Sequence, residues 1–350
     1  MDSSKPIITK ESKNKIRVDY EGKLSIKERL LRKVKTSYTW IKGAVSVCKF
    51  ILMLGISYVI LFPFISRIAG SFMTREDVVD ATVSLIPKHF TLEIYKYVII
   101  ENHYLQALLN TIILSLLCAI IQTLISCLIG YGLAKFKFKG NNILMLLVIV
   151  TMIIPHGTLK LALVQHFVNF DLLRVLAWDY TGLFELITGS TLNLTNTYWP
   201  MVVLSITGLA FKNGLYIYMM RQFFKGVPDE LEESAYVDGS GVYRTFFQII
   251  LPLSVPMMIT IFLFSFSWQW TDEFYTTLFF TNQLNKTYLM PDVYKVMPTS
   301  LDCPAFAGYT VYKNVVQNTA GMLIIAPLIV MYLFCQRYLV AGIERSGIVG

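Results

Sequence analysis

The chain has 350 residues, of which 55% are hydrophobic and only 15% are charged, and its mean hydropathy is +0.55. Soluble globular proteins carry about a quarter of charged residues. This composition excludes an ordinary soluble domain and indicates an integral membrane protein. The net charge of +8 is uneven, because 13 of the 31 Lys and Arg residues precede Phe50. Beside a membrane span, a basic stretch marks the cytoplasmic side, and we expect no nucleic-acid surface, which would need a folded basic face.

The cysteines and histidines do not fall at the spacings of metal ligands. The chain has neither a CxxC pair nor an HExxH pattern, so no zinc site and no disulfide framework is indicated. A P-loop needs a Gly-Lys pair followed by Ser or Thr, but the only such pair, Gly22-Lys23, is followed by Leu24. We therefore expect no metal, no cofactor and no enzymatic activity on this chain. ATP-driven work would require a separate ATPase.

The chain divides into a basic N-terminal segment, residues 1–44, and a transmembrane domain, residues 45–350. We expect the beginning of the first segment to lack regular structure. From Leu24 onward, leucines are interspersed with cations, which suits either an interfacial helix on anionic lipid or a solvated tail.

Six stretches are long and apolar enough for a bilayer core of about 30 Å, which needs about 20 residues per helix. They lie at about 46–66, 107–134, 143–168, 200–224, 254–280 and 320–341. The fold class is therefore an all-α membrane protein with six transmembrane helices. The basic loops around Lys137 and Lys225 fall on the same side as the N-terminus, which places both termini in the cytoplasm. The long loop 281–319 on the other side either contacts a partner or forms a packed cap.

The stretch from Pro228 to Pro256 is the longest polar passage between two apolar blocks. Pro228 and the acidic residues after it suit the first turn of a helix. Asp238-Gly239 supplies a turn. A second helix, Val242 to Ile250, should end at Leu251-Pro252, because a residue before proline avoids the helical region. The stretch predicts a cytoplasmic helix-turn-helix elbow.

The elbow resembles the EAA loop of binding-protein-dependent ABC importer permeases in order, spacing and residue types. The matching positions are Glu233, Ser234, Ala235, Asp238, Gly239, Ser240, Phe246, Leu251 and Pro252. Ser234 and Ser240 stand where alanine is usual. Weaker similarities are Tyr131-Gly132-Leu133-Ala134-Lys135-Phe136 at the end of the second span and Tyr338-Leu339-Val340 in the tail. The tail is similar to that of the carbohydrate-type subfamily, but it lacks the common penultimate lysine.

The resemblance implies a set of partners and a place in the cell. In that family the loop is a coupling helix that sits in a cleft of an ATPase subunit. The implied partners are a second permease subunit, a dimer of ATPase subunits and an extracytoplasmic substrate-binding protein, in a bacterial plasma membrane. The implied function is import of a sugar or oligosaccharide.

Polar residues inside the predicted spans are candidates for the transport pathway, because ionisable groups at membrane depth usually face a cavity or a partner. The third span is interrupted by Pro155-His156-Gly157, and His156 and Lys160 lie one helical turn apart. Lys160 could instead extend to the interface. In the fifth span, Trp270-Thr271-Asp272 resembles the family's Trp-Asn-Asp pattern. Trp268 and Asp272 share a helix face, where a ring and a carboxylate suit a sugar, although an interfacial aromatic belt would look alike. The candidate pathway residues are Trp268, Trp270, Asp272, His156 and Lys160.

Two alternatives stay open at the level of sequence. An ion-driven secondary transporter would typically show inverted repeats and ionisable residues in several spans, and neither is obvious here. An ABC permease for a peptide, an amino acid or phosphate would share the elbow and differ in cargo.

Overall fold

The computed structural model describes residues 7–11, 15–19, 37–171, 182–281 and 287–347. It forms two compact units, Met1–Ser66 and Arg67–Gly350. The proposed interfacial helix after Leu24 lies outside the described residues.

The N-terminal unit contains a β-hairpin and most of one long helix. Strand β1 (Ile7–Glu11) pairs antiparallel with β2 (Lys15–Asp19), with Ile7 opposite Asp19. The expectation of no regular structure is wrong here, since β-branched residues in both segments favour strands. Helix α1 (Ser37–Gly70) contains the first predicted span, and the side chains of its apolar stretch are exposed.

The remaining described elements of regular structure are helical. They are α2 (Arg75–Val79), α3 (Glu93–Glu101), α4 (Tyr104–Lys135), α5 (Asn141–Ile153), α6 (Lys160–Val168), α7 (Leu183–Thr188), α8 (Trp199–Ile206), α9 (Asn213–Lys225), α10 (Glu230–Val237), α11 (Val242–Thr245), α12 (Leu251–Trp270), α13 (Phe274–Phe279), α14 (Met290–Lys295) and α15 (Tyr309–Gly347). Short 3₁₀ turns cover His156–Leu159 and Thr299–Leu301.

Four helical stretches among the described residues are long and apolar enough to cross a bilayer: Ile41–Gly70, Tyr104–Lys135, Val242–Trp270 and Tyr309–Tyr338. A fifth is possible if α5 and the segment His156–Val168, bent by 93° relative to each other, count as one broken span. The predicted span 200–224 is divided between α8 and α9, and neither alone has the length of a bilayer core. The predicted interruption at Pro155 is present, because Ile154 before the proline is extended, with ψ 121°.

Helix α4 is the centre of the second unit and packs against α8, α9 and α12. Its buried positions recur every three or four residues, for example Ala107, Leu114, Cys118 and Cys127, as expected for one helix face. A buried polar chain crosses this contact: Ser265 Oγ donates to Gln122 Oε1 (2.7 Å), and Gln122 Nε2 donates to Ser205 Oγ (3.1 Å). These bonds satisfy groups that would be costly in an apolar interior.

The loop between α13 and α15 is packed in its described part. Met290, Val293 and Leu301 are fully buried, and the side chain of Asn102 donates to the carbonyl of Val293 (2.9 Å). Of the two interpretations of loop 281–319, the packed cap agrees with this burial.

The prediction that Leu251-Pro252 ends the second elbow helix is wrong. The helix runs without a break from Val242 to Trp270. A π-helical turn, Phe246–Ile250, lies just before the proline, and the Leu251 N–H donates to the carbonyl of Phe246, five residues back. The wider turn accommodates the ring and missing donor of Pro252, which an α-helix interior tolerates poorly.

Gly130 permits the close approach of α4 to α9. A Cβ at this position would lie 2.6 Å from Met220 Cβ and 3.0 Å from the Arg221 backbone nitrogen, whereas a Cβ at Gly132 would meet nothing within 4 Å. We predict that Gly130→Ala destabilises the protein by about 1–3 kcal/mol through overpacking and that Gly132→Ala has little effect. Thermal unfolding of the two purified variants in the same detergent checks this, and equal unfolding temperatures would contradict it.

Candidate functional site

The predicted elbow is present as α10, a tight turn and α11. Gly239 has φ +81°, its N–H donates to the carbonyl of Tyr236, and the Ser240 N–H donates to that of Ala235. A helix end of this kind favours glycine, because a side chain is strained in the left-handed region. Gly239 thus permits the reversal between the two helices.

One face of α10 is buried and the other is exposed. Ala235 and Glu232 point into the protein. The exposed surface of the elbow combines acidic groups with large apolar side chains, of which Val237 and Tyr243 are each more than 80% exposed. Among the other EAA-like residues, Phe246 is buried, Ser240 and Leu251 are half-buried, and Glu233, Ser234, Asp238, Gly239 and Pro252 are exposed.

Lys135, at the end of α4, ties α10 to the membrane domain. Its side chain is only 7% exposed. Its Nζ donates to the carbonyl of Val227 (2.7 Å) and to Asp229 Oδ1 (2.5 Å), and it lies 3.7 Å from Glu232 Oε1. The Lys135 hydrogen bond and charge hold the pKa of the exposed Asp229 carboxyl below its usual range. The first turn of the elbow is therefore held by one ammonium group.

Aromatic packing supports the same junction from the side of α4. The ring of Tyr131 lies 4.8 Å from that of Phe246 and 5.4 Å from that of Phe224. The Tyr131 hydroxyl lies 3.5 Å from Glu232 Oε2. The two sequence stretches that carry the family resemblance, 131–136 and 233–252, are thus in direct contact.

A second cluster surrounds Trp268, near the end of α12. The Lys212 Nζ lies 4.9 Å from the centre of the Trp268 ring and 4.8 Å from that of Phe211. The Phe211 and Trp268 rings are 5.5 Å apart at their centres, and the His156 ring lies 4.6 Å from Phe211. The structure therefore brings His156 and Trp268 to the same cluster through Phe211.

Two small cavities meet at Phe211. One, of about 10 Å³, is lined by Trp268, Asp272, Gln122, Ser265 and other residues, and is about the size that one water molecule needs. The other, of about 130 Å³, is lined by His156 and Lys212 among others. Trp268 and Asp272 line the same cavity, but α12 ends at Trp270 and Asp272 lies beyond its end, so the predicted common helix face is not present.

The other pathway candidates lie elsewhere or have structural partners. Trp270 is fully buried, and its indole donates to the carbonyl of Ile324 (3.0 Å). Lys160 is exposed and lines neither cavity. Asp272 accepts hydrogen bonds from the backbone N–H groups of Tyr275 and Thr276, each at 3.1 Å, so its carboxylate caps the start of α13 while it faces the cavity.

Sequence analysis did not identify Lys212, Phe211 and Gln122 at this cluster or Glu232 at the elbow, and it named Lys135 only as part of the motif at the end of the second span. Lys212 carried a usable signal, because it is a cation near the middle of the predicted span 200–224. Its backbone is left-handed, with φ +67°, and such strained residues cluster at functional sites. Gln122 gave no comparable signal.

The elbow lies within a region that matches a known protein family. The family model described as "binding-protein-dependent transport system inner membrane component" matches residues 122–345, more than half of the chain. The chain belongs to this family. The matched region contains both the Lys135 junction and the cluster around Trp268, and the family is one of non-catalytic membrane subunits.

The similar proteins include permeases of carbohydrate transport systems, and a solved structure shares the fold. Protein LplC of Bacillus subtilis (strain 168) is 28% identical over 310 residues, which cover 87% of this chain and 94% of LplC. The arabinooligosaccharides transport system permease protein AraQ of Halalkalibacterium halodurans is 25% identical over 298 residues, covering 84% and 93%. A chain from the crystal structure of a bacterial ABC transporter for import of the acidic polysaccharide alginate has a similar fold, with TM-score 0.61, 20% identity and coverage of 87% and 98%. The predicted resemblance is confirmed.

Asp272 can be tested first by its structural role. We predict that Asp272→Ala destabilises the protein by about 1 kcal/mol, because two backbone N–H groups of α13 lose their acceptor. Glu273→Ala is the matched control, since Glu273 is exposed and its ion pair among the described residues is with Lys295 at 3.0 Å, a surface pair of small value. Thermal unfolding of both variants measures the difference. If the unfolding temperature falls equally in the two variants, the capping hydrogen bonds of Asp272 do not contribute the predicted stability.

Proposed function

We propose that this chain is a transmembrane permease subunit of an ABC importer that moves a sugar or oligosaccharide into the cell, using ATP hydrolysed on a separate pair of ATPase subunits. In this proposal the chain spans the plasma membrane six times with both termini in the cytoplasm. A second permease subunit completes the pathway, and an extracytoplasmic binding protein delivers the cargo.

The observation that carries the proposal is the elbow. A short helix exposes acidic and apolar side chains on one face, while Lys135, Glu232 and Ala235 fix its other face to the membrane domain. Exposed apolar groups such as Val237 and Tyr243 suit burial in the cleft of a partner. The Gly-Lys pair of the chain lacks the Ser or Thr of a P-loop, which supports an ATPase on another subunit.

The cluster around Trp268 supports a saccharide as the cargo. Aromatic rings can cover the apolar faces of a sugar, and Asp272, Gln122 and Lys212 offer polar groups to hydroxyls. Both cavities are smaller than the 300–1,000 Å³ typical of ligand sites. A saccharide could pass only if the helices separate here or if the second subunit contributes a wall.

Reconstitution tests the proposal. The chain would be assembled in lipid vesicles with its permease, ATPase and binding-protein partners, and ATP would be supplied on the side of the ATPase subunits. We expect saccharide-loaded binding protein to stimulate ATP hydrolysis and saccharide uptake together. Uptake that follows an ion gradient and ignores ATP, or stimulation only by peptides, amino acids or phosphate, would contradict the proposal.

Replacing Lys135 should separate ATP hydrolysis from uptake. In Lys135→Met the anchor of α10 to α4 loses its three oxygen partners while keeping a long side chain. We expect ATPase subunits still to bind, because the exposed face is unchanged, but uptake per ATP hydrolysed to fall at least severalfold. Lys139→Met is the matched control, because Lys139 lies in the basic loop that follows α4 and is exposed. Unchanged uptake per ATP in Lys135→Met would show that the anchor does not transmit the movement.

A further inference from the structure

Lys212 is a cation without an acidic partner among the described residues. The ion pairs found within 4 Å in the described parts of the second unit do not include it. Its contacts are the Phe211 and Trp268 rings, which attract a cation without neutralising it. It lies between α8 and α9, in the middle of a predicted span, where an unpaired charge is expensive. Such a charge usually faces a cavity or a ligand.

The cavity beside Lys212 is lined by a cation. The residues that line its 130 Å³ are Thr151, Met152, His156, Leu209, Ala210, Phe211, Lys212, Gly214 and Leu215. None of these is acidic. The first turn of α9, which contributes Gly214, adds the positive end of a helix dipole. The cavity is large enough for a carboxylate group and too small for a whole saccharide.

The acidic group of the cluster, Asp272, faces the neighbouring cavity. Asp272 lines the 10 Å³ cavity with Trp268, and its carboxylate accepts from the Tyr275 and Thr276 N–H groups. It does not approach Lys212 within ion-pair distance. The Phe211 ring lines both cavities. The surface formed by Trp268 and Asp272, which suits sugar hydroxyls, therefore adjoins a separate cationic recess, the cavity that Lys212 lines.

We propose that the recess formed by Lys212, His156 and the start of α9 binds the carboxylate of an acidic saccharide, so that the cargo is a uronate-containing oligosaccharide. This rests on the proposed function and specifies its substrate class. Trp268 and Phe211 would cover the apolar face of the sugar ring, while Lys212 forms a charge-assisted hydrogen bond with the carboxylate. A neutral sugar would leave the Lys212 charge uncompensated.

The test compares short oligomers of galacturonate, mannuronate and guluronate with their carboxyl-reduced forms, which differ only in carrying CH₂OH. The complete transporter is reconstituted, and ATPase stimulation and uptake are measured with binding protein saturated by each oligomer, so that affinity for the binding protein does not enter. We expect at least one uronate to exceed its reduced form by about tenfold or more. Lys212→Met should abolish this preference, and Lys212→Arg should retain it.

Two further variants separate charge from folding. Lys212→Asn removes the charge but suits the left-handed backbone, so it should fold well and still lack the preference. Lys96→Met also removes a lysine that lies over an aromatic ring, that of Tyr97 at 5.6 Å, outside both cavities, and it should keep the preference. Stimulation by neutral oligomers alone, or a preference that persists in both Lys212→Met and Lys212→Asn, would overturn this inference and leave the importer function intact. Absence of stimulation by every saccharide would overturn both.

Discussion

Close packing around α4 is the constraint on which the second unit depends. Its buried face contacts α8, α9 and α12, and the absence of a side chain at Gly130 sets the distance to α9. In a membrane the apolar surface of helices is not a strong driving force, so small residues and buried hydrogen bonds carry much of the specificity of packing. Helix α4 has both features: the small residue Gly130 lies near one end, and the buried hydrogen bonds of Gln122 lie near its middle.

The elbow shows how far local sequence patterns extend. Its first helix, the turn at Gly239 and the polar character of its outer face follow from Pro228, the acidic first turn and Asp238-Gly239, all of which act within a few residues. The continuation of the second helix through Pro252 does not, because it depends on a π-helical turn that is stabilised by the packing of Phe246 and Ile250 in the interior. Sequence rules for proline describe an average helix, and tertiary contacts overrode them here.

The candidate pathway also could be predicted only in part from local sequence patterns, for a different reason. Trp268 and Asp272 were selected from the sequence because they lie four residues apart, which is the spacing of one helical turn, although α12 ends at Trp270. Lys212, Phe211 and Gln122 come from other elements, and their approach to Trp268 depends on how α4, α9 and α12 pack. Trp270 was selected by resemblance, and its indole bond to Ile324 gives it a place in the core. The type of a side chain predicted a pathway role, but only the packing of the helices decides whether that side chain faces the cavity or the core.

Two paths through the helices connect the elbow to the cavity that Trp268 and Asp272 line. One is continuous, since the helix from Val242 to Trp270 has 29 residues and a length of about 43 Å, and it ends at the residues beside Asp272. The other begins at Lys135, which holds α10, and runs back along α4 to Gln122, which binds Ser265 and lines the cavity with Trp268. Packed helices deform little, so α12 and α4 join the elbow to two walls of this cavity. Because Lys212 and Phe211 lie between α8 and α9, their contacts with the Trp268 ring connect this end of α12 to those two helices.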